Sequence, residues 1–165
     1  MCYTLIRKNE REEIKMYAID ITAYANTDNS NKGICKEWGL CRYYGINRTV
    51  HDHSTYMEAS DIELDNGMDI SVKSPKGTLM SGKFCTTCKT FEGIWRKYRR
   101  TCHSNTFVFV THEWIAYHMD INEFSKFVHQ FGYLKRDSEK NGGNLKIAFY
   151  EESKRMRNWL AAHAA

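Results

Sequence analysis

The chain has 165 residues, the length of one domain with room for a sizeable hydrophobic core. Hydrophobic residues make up 42% of the chain and charged residues 27%, and the chain contains 1 proline and 10 glycines. This composition excludes a disordered or fibrous protein. The formal net charge of +4 excludes a strongly acidic mimic of DNA and is compatible with nucleic-acid binding.

The chain has no apolar run of about 18 residues, so no membrane span is predicted. Residues 1–13 are polar and lack the apolar centre of a signal peptide. We therefore expect a cytoplasmic protein with no membrane partner. Its 6 cysteines are then expected to be reduced thiols or metal ligands rather than disulfides.

Hydrophobic periodicity predicts two helices before residue 46. The first spans residues 9–26, on a stripe formed by Ile14, Tyr17, Ala18, Ile21, Tyr24 and Ala25. The second is capped by Ser30 or Asn31 and runs to about Tyr44, where Gly45 ends it. Its inward-facing side chains are Ile34, Trp38 and Cys41.

A β-hairpin is predicted around the turn formed by residues 65–67, Asp-Asn-Gly, and its register can be derived. A two-residue loop would pair Asp61 with Val72 and put charged and apolar side chains on one face. A three-residue loop with Gly67 in the left-handed conformation pairs Ile62 with Ile70 instead, and both faces become consistent. The predicted polar face holds Asp61, Glu63, Asp69, Ser71 and Lys73.

The later elements alternate between helices and strands. Strands are predicted around 78–80 and over 107–111, 114–117 and 145–150, and helices over 90–103, behind Asp120 and at the C-terminus. A turn is predicted at residues 141–143, Asn-Gly-Gly. The inward-facing side chains of these helices are Phe91, Ile94, Trp95 and Tyr98, then Phe124, Phe127, Val128 and Phe131, then Met156, Trp159, Leu160 and His163. The whole order predicts one α+β domain over residues 1–165, a single mixed β-sheet with a central hairpin flanked by helices.

Charge is distributed unevenly along the chain. Residues 51–71 contain Asp and Glu but neither Lys nor Arg, whereas residues 93–103 contain no acid. Mg²⁺ prefers hard oxygen ligands, and a lysine can hold an attacking water and stabilise developing charge. The hairpin face thus has the groups that metal-assisted phosphodiester hydrolysis needs, and ordinary solvated surfaces are the alternative. The basic helix that would hold the phosphate backbone carries Arg96, Lys97, Arg99 and Arg100.

On these residues the chain resembles the PD-(D/E)XK nuclease superfamily, which has the restriction-endonuclease-like core. That family places an acid on one hairpin strand and an acid-x-Lys triplet on the next. Asp61 and the triplet from Ser71 to Lys73 take these positions here. The family's order of helix, three antiparallel strands, helix and strand is similar to residues 31–111. The resemblance implies a nuclease acting on DNA with Mg²⁺ or Mn²⁺, in which Asp61 and Glu63 bind metal and Lys73 positions the water.

The triplet departs from the family at its acid, which is Ser71 in this chain. Some restriction enzymes of the superfamily also have Ser-x-Lys and recruit the carboxylate from elsewhere. Candidates here are Glu63 first, then Glu37 on the preceding helix, then Glu92. No Pro precedes Asp61, which such nucleases often tolerate.

Without a replacement carboxylate the site would be inactive. The alternative is then a non-catalytic factor that binds nucleic acid or protein, such as a regulatory or anti-defence protein of a phage or plasmid. Segments 73–82 and 138–143 also resemble those of short proteins from bacterial mobile elements. Enzymes of this fold often dimerise to cut both strands, so the resemblance is compatible with a homodimer.

Two other groups could bind metal. His51 and His53 point the same way if they lie on a strand, and a surface loop is the alternative. Cys85 and Cys88 form a CxxC pair that zinc could use, with further ligands from Cys102, His103, Cys35 or Cys41. Because the chain has one such pair only, we expect ordinary cysteines and no structural Zn²⁺.

Overall fold

The computed structural model describes residues 15–25, 33–46, 60–80 and 86–164. Within these ranges the chain is α+β, as predicted. The strands and helices, in chain order, are β1 (Met16–Asp20), α1 (Gly33–Tyr43), β2 (Ile62–Glu63), β3 (Asp69–Lys73), α2 (Phe91–Thr101), β4 (Thr106–Val110), β5 (Ile115–Met119), α3 (Ile121–Phe131), β6 (Gly132–Arg136), β7 (Leu145–Phe149) and α4 (Lys154–His163). No helix in this part of the chain is long and apolar enough to cross a membrane.

The main sheet has five strands in the order β1-β5-β4-β3-β2. Strands β3 and β4 are parallel and joined through α2, whereas the other neighbours are antiparallel. Strand β4 lies at the centre, and its residues 107–110 are all buried. This burial explains the uninterrupted apolar run that predicted a central strand.

Alternation along β4 builds one apolar core on each face of the sheet. Phe107 and Phe109 point towards α2, α3 and α4, and pack with Trp95, Phe124 and Phe127. The other face carries Val108 and Val110 and packs against α1 through Leu40 and Cys41. Side chains of β3 follow the same division, because Ser71 lies beside Phe107 and Lys73 beside Phe109.

The predicted register of the hairpin is confirmed. Ile62 pairs with Ile70 and Glu63 with Asp69. The loop has three residues, since the Leu64 amide donates to the Met68 carbonyl at 3.0 Å. Gly67 has φ 86°, the left-handed conformation that this loop requires.

The predicted helix ends are also found. Asp120 caps α3, where its carboxylate accepts a hydrogen bond from the Glu123 amide at 2.8 Å. Gly45 has φ 72° after α1, and the amide of Ile46 donates back to the Cys41 carbonyl at 2.9 Å. The predicted cap of α1 at Ser30 or Asn31 lies outside the described residues.

The predicted helix over 9–26 is wrong where the structure describes it. Residues 16–20 form β1, which pairs antiparallel with β5 from Met16–Met119 to Asp20–Ile115. Tyr17, Ile19 and Ile21 occupy every second position, which is the pattern of a strand. Aromatic and β-branched residues also favour strands. Pairing with β5 satisfies the backbone and decides between the two patterns.

The predicted mixed sheet is confirmed in outline, but the hairpin β2–β3 lies at its edge rather than at its centre, and the structure has a second sheet. Strand β6 was not predicted, and it pairs with β7 in a separate two-stranded sheet. The segment predicted as a strand around 78–80 makes an isolated bridge, Thr78 with Ala148, on the other side of β7. Strand β6 begins at Gly132, the C-cap of α3, and a glycine at that position predicts the end of the helix but not a strand after it.

Candidate functional site

Asp61 stands where β2 and β3 separate. The strand ladder ends at Ile62 and Ile70, and the next outward-facing amide on β3 belongs to Val72. This amide donates to Oδ2 of Asp61 at 2.7 Å. The Asp61 carboxylate thus replaces a missing strand partner, which fixes the side chain beside β3 and leaves Oδ1 without a bond among the described residues.

Lys73 lies at the end of β3, on the face that carries α2. Its side chain is half-buried and its ammonium is enclosed by protein, where Nζ donates to the Leu79 carbonyl at 3.0 Å. Nζ also lies 5.6 Å from the centre of the Tyr98 ring. Burial lowers the pKa of Lys73, and the charges of Asp61, Cys102 and Glu37 oppose that effect.

Glu37 reaches this site from α1. It is 7% exposed, and its carboxylate favours the charged form of Lys73. Helix α1 packs on the face of the sheet opposite to α2. The choice of Glu37 as the carboxylate that replaces the missing acid stays a prediction.

Lys36 anchors the helix that carries Glu37. It is fully buried, donates to the Thr111 carbonyl at 3.0 Å, and its Nζ lies 3.9 Å from the centre of the Trp114 ring. Burial lowers the pKa of Lys36 to about 8, and the charge of Glu152 opposes the change. Sequence reasoning missed Lys36, because nothing in a helical stripe distinguishes a buried lysine from an exposed one.

The other candidate carboxylates lie elsewhere. Glu63 is exposed at the turn end of the hairpin, directly opposite Asp69. Its Cα lies about 7 Å from that of Asp61, the distance spanned by two residues of a strand. Glu92 is exposed on α2, where its Oε1 pairs with Nε2 of His129 at 2.6 Å. Metal binding by Glu63 stays a prediction. Glu92 already pairs with His129 on α3.

Tyr98 closes the site on the side of α2. It is 7% exposed, and its hydroxyl lies beside the Ser71 hydroxyl and the Cys102 thiol. Among the described residues, however, no atom stands in hydrogen-bonding geometry to it. Desolvation holds the pKa of Tyr98 well above its usual range, so the phenol is neutral. The helical stripe predicted that Tyr98 faces inward but not that its hydroxyl meets Ser71.

The basic helix presents its charges away from this core. Ile94, Trp95 and Tyr98 are buried, as predicted, while Arg96, Arg99 and Arg100 are exposed and Lys97 is half-buried. Within the described ranges, no ion pair involves Arg99 or Arg100. These two guanidinium groups are therefore free to meet phosphate on the surface of α2.

The donor set near Lys73 suits a hard cation. Mg²⁺ needs one or two carboxylates and completes its shell with water, and Asp61 and Glu37 are the carboxylates that act on Lys73. No group of three or more His, Cys, Asp or Glu side chains gathers at one point in the part of the chain that the structure describes.

The zinc alternative is weakened by the placement of the cysteines. Cys35 and Cys41 are buried in the core on the α1 face, whereas Cys88 and Cys102 pack against the core on the α2 face. The sheet separates the two pairs, so they cannot share one ion. Cys85, His51 and His53 lie outside the described residues.

The chain matches no protein-family model, no curated protein and no solved structure.

Proposed function

We propose that the protein is a Mg²⁺-dependent nuclease that hydrolyses phosphodiester bonds of DNA, with its site at the end of β3. The observation that carries this proposal is the placement of Lys73 and Asp61 on neighbouring parts of the hairpin: Nζ of Lys73 donates to the Leu79 carbonyl at 3.0 Å, and Asp61 accepts from the amide of Val72, the residue before Lys73, at 2.7 Å. A lysine beside a carboxylate has groups that metal-assisted hydrolysis uses, and α2, which carries the basic surface, approaches Lys73 through the Tyr98 ring at 5.6 Å.

Each residue has a distinct role in this proposal. Asp61 and Glu37 hold the metal, with Glu63 as a further candidate ligand. Lys73 orients the attacking water and stabilises the negative charge that develops on the phosphate. Ser71, at the acid position of the triplet, orients water. Arg96, Lys97, Arg99 and Arg100 bind the DNA backbone without reading its sequence. The metal would polarise the phosphate and lower the pKa of a bound water.

The order of elements supports a restriction-endonuclease-like core. Helix α1, the hairpin β2–β3, helix α2 and the parallel strand β4 follow one another in the order of that core, which has a third antiparallel strand after the hairpin. One departure is segment 78–80, which bridges to β7 instead of joining the main sheet. A homodimer that cuts both strands is part of the same proposal.

A non-catalytic binding protein is the second candidate. Its support is that Nζ of Lys73 and Oδ2 of Asp61 already have partners inside the protein, Leu79 and Val72. Such contacts would hold the fold of a degraded site that binds nucleic acid or protein, as in a regulatory or anti-defence factor of a phage or plasmid.

Cleavage of supercoiled plasmid distinguishes the two candidates. The wild type is compared with Lys73→Ala, Asp61→Ala and Glu37→Gln, each with Mg²⁺, Mn²⁺ or EDTA. The matched control is Lys126→Ala, an exposed lysine on α3. Nicking that needs metal, survives in the control and is lost in the three variants supports the nuclease. Absence of cleavage on plasmid, branched DNA and RNA would favour the binding protein.

A further inference from the structure

The register assigns the side chains of the two-stranded sheet β6–β7 to two faces. On the first face Leu134 lies opposite Ile147 and Gly132 opposite Phe149; Ile147 and Phe149 are buried, whereas Leu134 is 41% exposed. The alternate positions therefore form the opposite face. They are Tyr133, Lys135, Lys146, the buried Ala148 opposite Tyr133 and, beyond the end of β7, Tyr150, and we call them the Tyr133–Tyr150 face.

Two aromatic rings stack on this face. The ring centres of Tyr133 and Tyr150 are 4.4 Å apart, with 28° between the ring planes. Tyr150 is nonetheless 55% exposed, the highest value among the large hydrophobic residues that the structure describes as exposed. The stacked pair thus leaves aromatic surface open to solvent, where a further ring could continue the stack.

Two lysines lie beside the rings. Lys135 and Lys146 face each other directly across the two strands, an arrangement that destabilises a sheet because the charges are alike. Nζ of Lys146 is paired with the buried Asp137 at 2.8 Å. Lys135 is exposed and makes no ion pair within the described ranges. It lies about 7 Å along the strand from Tyr133.

From this arrangement we infer that the Tyr133–Tyr150 face binds single-stranded nucleic acid. A base stacks on the exposed ring of Tyr150, and Lys135, about 13 Å further along the sheet, neutralises a phosphate further along the same strand. Stacking tolerates any base, because every base has a π-face, so binding here depends little on sequence. This site is separate from the one at Lys73 and does not require the protein to be a nuclease.

Binding of a fluorescent oligo(dT) in EDTA tests the inference without any cleavage. Tyr150→Ala should weaken binding about tenfold, as expected for the loss of one stacked base, and Tyr150→Phe should retain it. Lys135→Ala should lower the salt dependence of binding by about 0.7 in log–log slope, the value for one phosphate on a single strand. Thermal unfolding of each variant verifies that the fold is kept.

Matched controls separate this face from the other basic surface. Tyr24→Ala removes another exposed tyrosine, 38% exposed and distant in sequence, and should bind as the wild type does. Lys126→Ala on α3 should also keep oligo(dT) binding. Because the assay is run in EDTA and measures binding alone, failure of the nuclease proposal would leave this result intact. Equal binding by Tyr150→Ala and the wild type, or equally good competition by polyglutamate, would overturn the inference.

Discussion

His118 shows how a buried titratable residue is held neutral. It is fully buried in β5, and its ring stacks on Tyr17 with centres 4.7 Å apart. Nδ1 lies 3.1 Å from the Ala116 carbonyl, so it carries the proton and donates, and Nε2 accepts from the Tyr44 hydroxyl at 2.6 Å. Both nitrogens are therefore satisfied without a charge. Burial lowers the pKa of His118 to about 4.

We expect the protein to lose stability as the pH falls from about 6.5 to about 4, the interval between the unfolded and folded pKa of His118. The unfolded state binds more protons there, so unfolding becomes easier with acid, by up to about 3 kcal/mol at the lower end. Urea unfolding at a series of pH values measures this. His118→Gln should be less stable throughout but should lack this component, and an unchanged pH dependence in the variant would contradict the assignment.

The buried Tyr98 hydroxyl lowers the free energy of unfolding. Because it is buried without a partner among the described residues, removing it should stabilise the protein by about 1–3 kcal/mol. We therefore expect Tyr98→Phe to unfold at higher urea than the wild type. Tyr117→Phe is the control, since Tyr117 is only half-buried on β5 and its hydroxyl can reach water. A destabilised Tyr98→Phe would show that the hydroxyl has a partner, such as an ordered water beside Ser71.

At the scale of elements, the hairpin turn requires a left-handed backbone conformation at one residue. Gly67 has φ 86°, and an added Cβ would meet no atom within 4 Å, so any cost of substitution is conformational. The Gly67 carbonyl also accepts from Nδ2 of Asn105 at 2.8 Å, which joins the turn to the start of β4. The turn therefore depends on the left-handed backbone rather than on space.

Substitutions at Gly67 should rank by their tolerance of that conformation. Gly67→Val should cost about 1–2 kcal/mol of stability, whereas Gly67→Asn should cost clearly less, because Asn adopts the left-handed region more readily. Chemical denaturation of the two variants gives the comparison. Equal losses for Val and Asn would mean that the loop relaxes to another conformation and that the three-residue turn is not required.

Local signals explain which elements the sequence could predict. The hairpin register, the Asp120 cap and the buried stripe of α3 each follow from residues within a short stretch, and all were confirmed. Strands β1 and β6 depend on partners far away in the chain, β5 and β7 for pairing. A short segment such as residues 132–136, in which Tyr133 and Leu134 are adjacent and do not alternate with polar residues, carries too little periodicity to be identified alone.

For the whole molecule, the candidate site assembles from distant parts of the chain. Pattern reasoning selected Asp61, Lys73 and Glu37 as possible partners from residue type and strand register. It placed Glu63 ahead of Glu37 for proximity on the hairpin, and that ranking stays a prediction. How α1 packs against the sheet, for example through Lys36 and the Thr111 carbonyl just after β4, depends on contacts distant in sequence that only the folded chain contains.

The charge of the whole molecule leads to the last prediction. The net charge is +4, so some nonspecific attraction to DNA is expected whatever the protein does. Binding through α2 predicts more than this. Arg99 and Arg100 are exposed without ion pairs in the described part of the chain, and each can release a counterion from duplex DNA. Replacing both with Gln should lower the log–log salt slope of duplex binding by about 2.

A second double variant separates the position of the charges from their number. Arg42→Gln with Lys126→Gln removes the same net charge from α1 and α3, where Arg42 donates to the Tyr24 carbonyl and Lys126 pairs with Glu123. Its salt slope should stay near that of the wild type, because neither residue lies on α2. Titration of labelled duplex DNA at several salt concentrations in EDTA measures both. An equal fall in slope for the two double variants would mean that net charge, and not the surface of α2, governs binding.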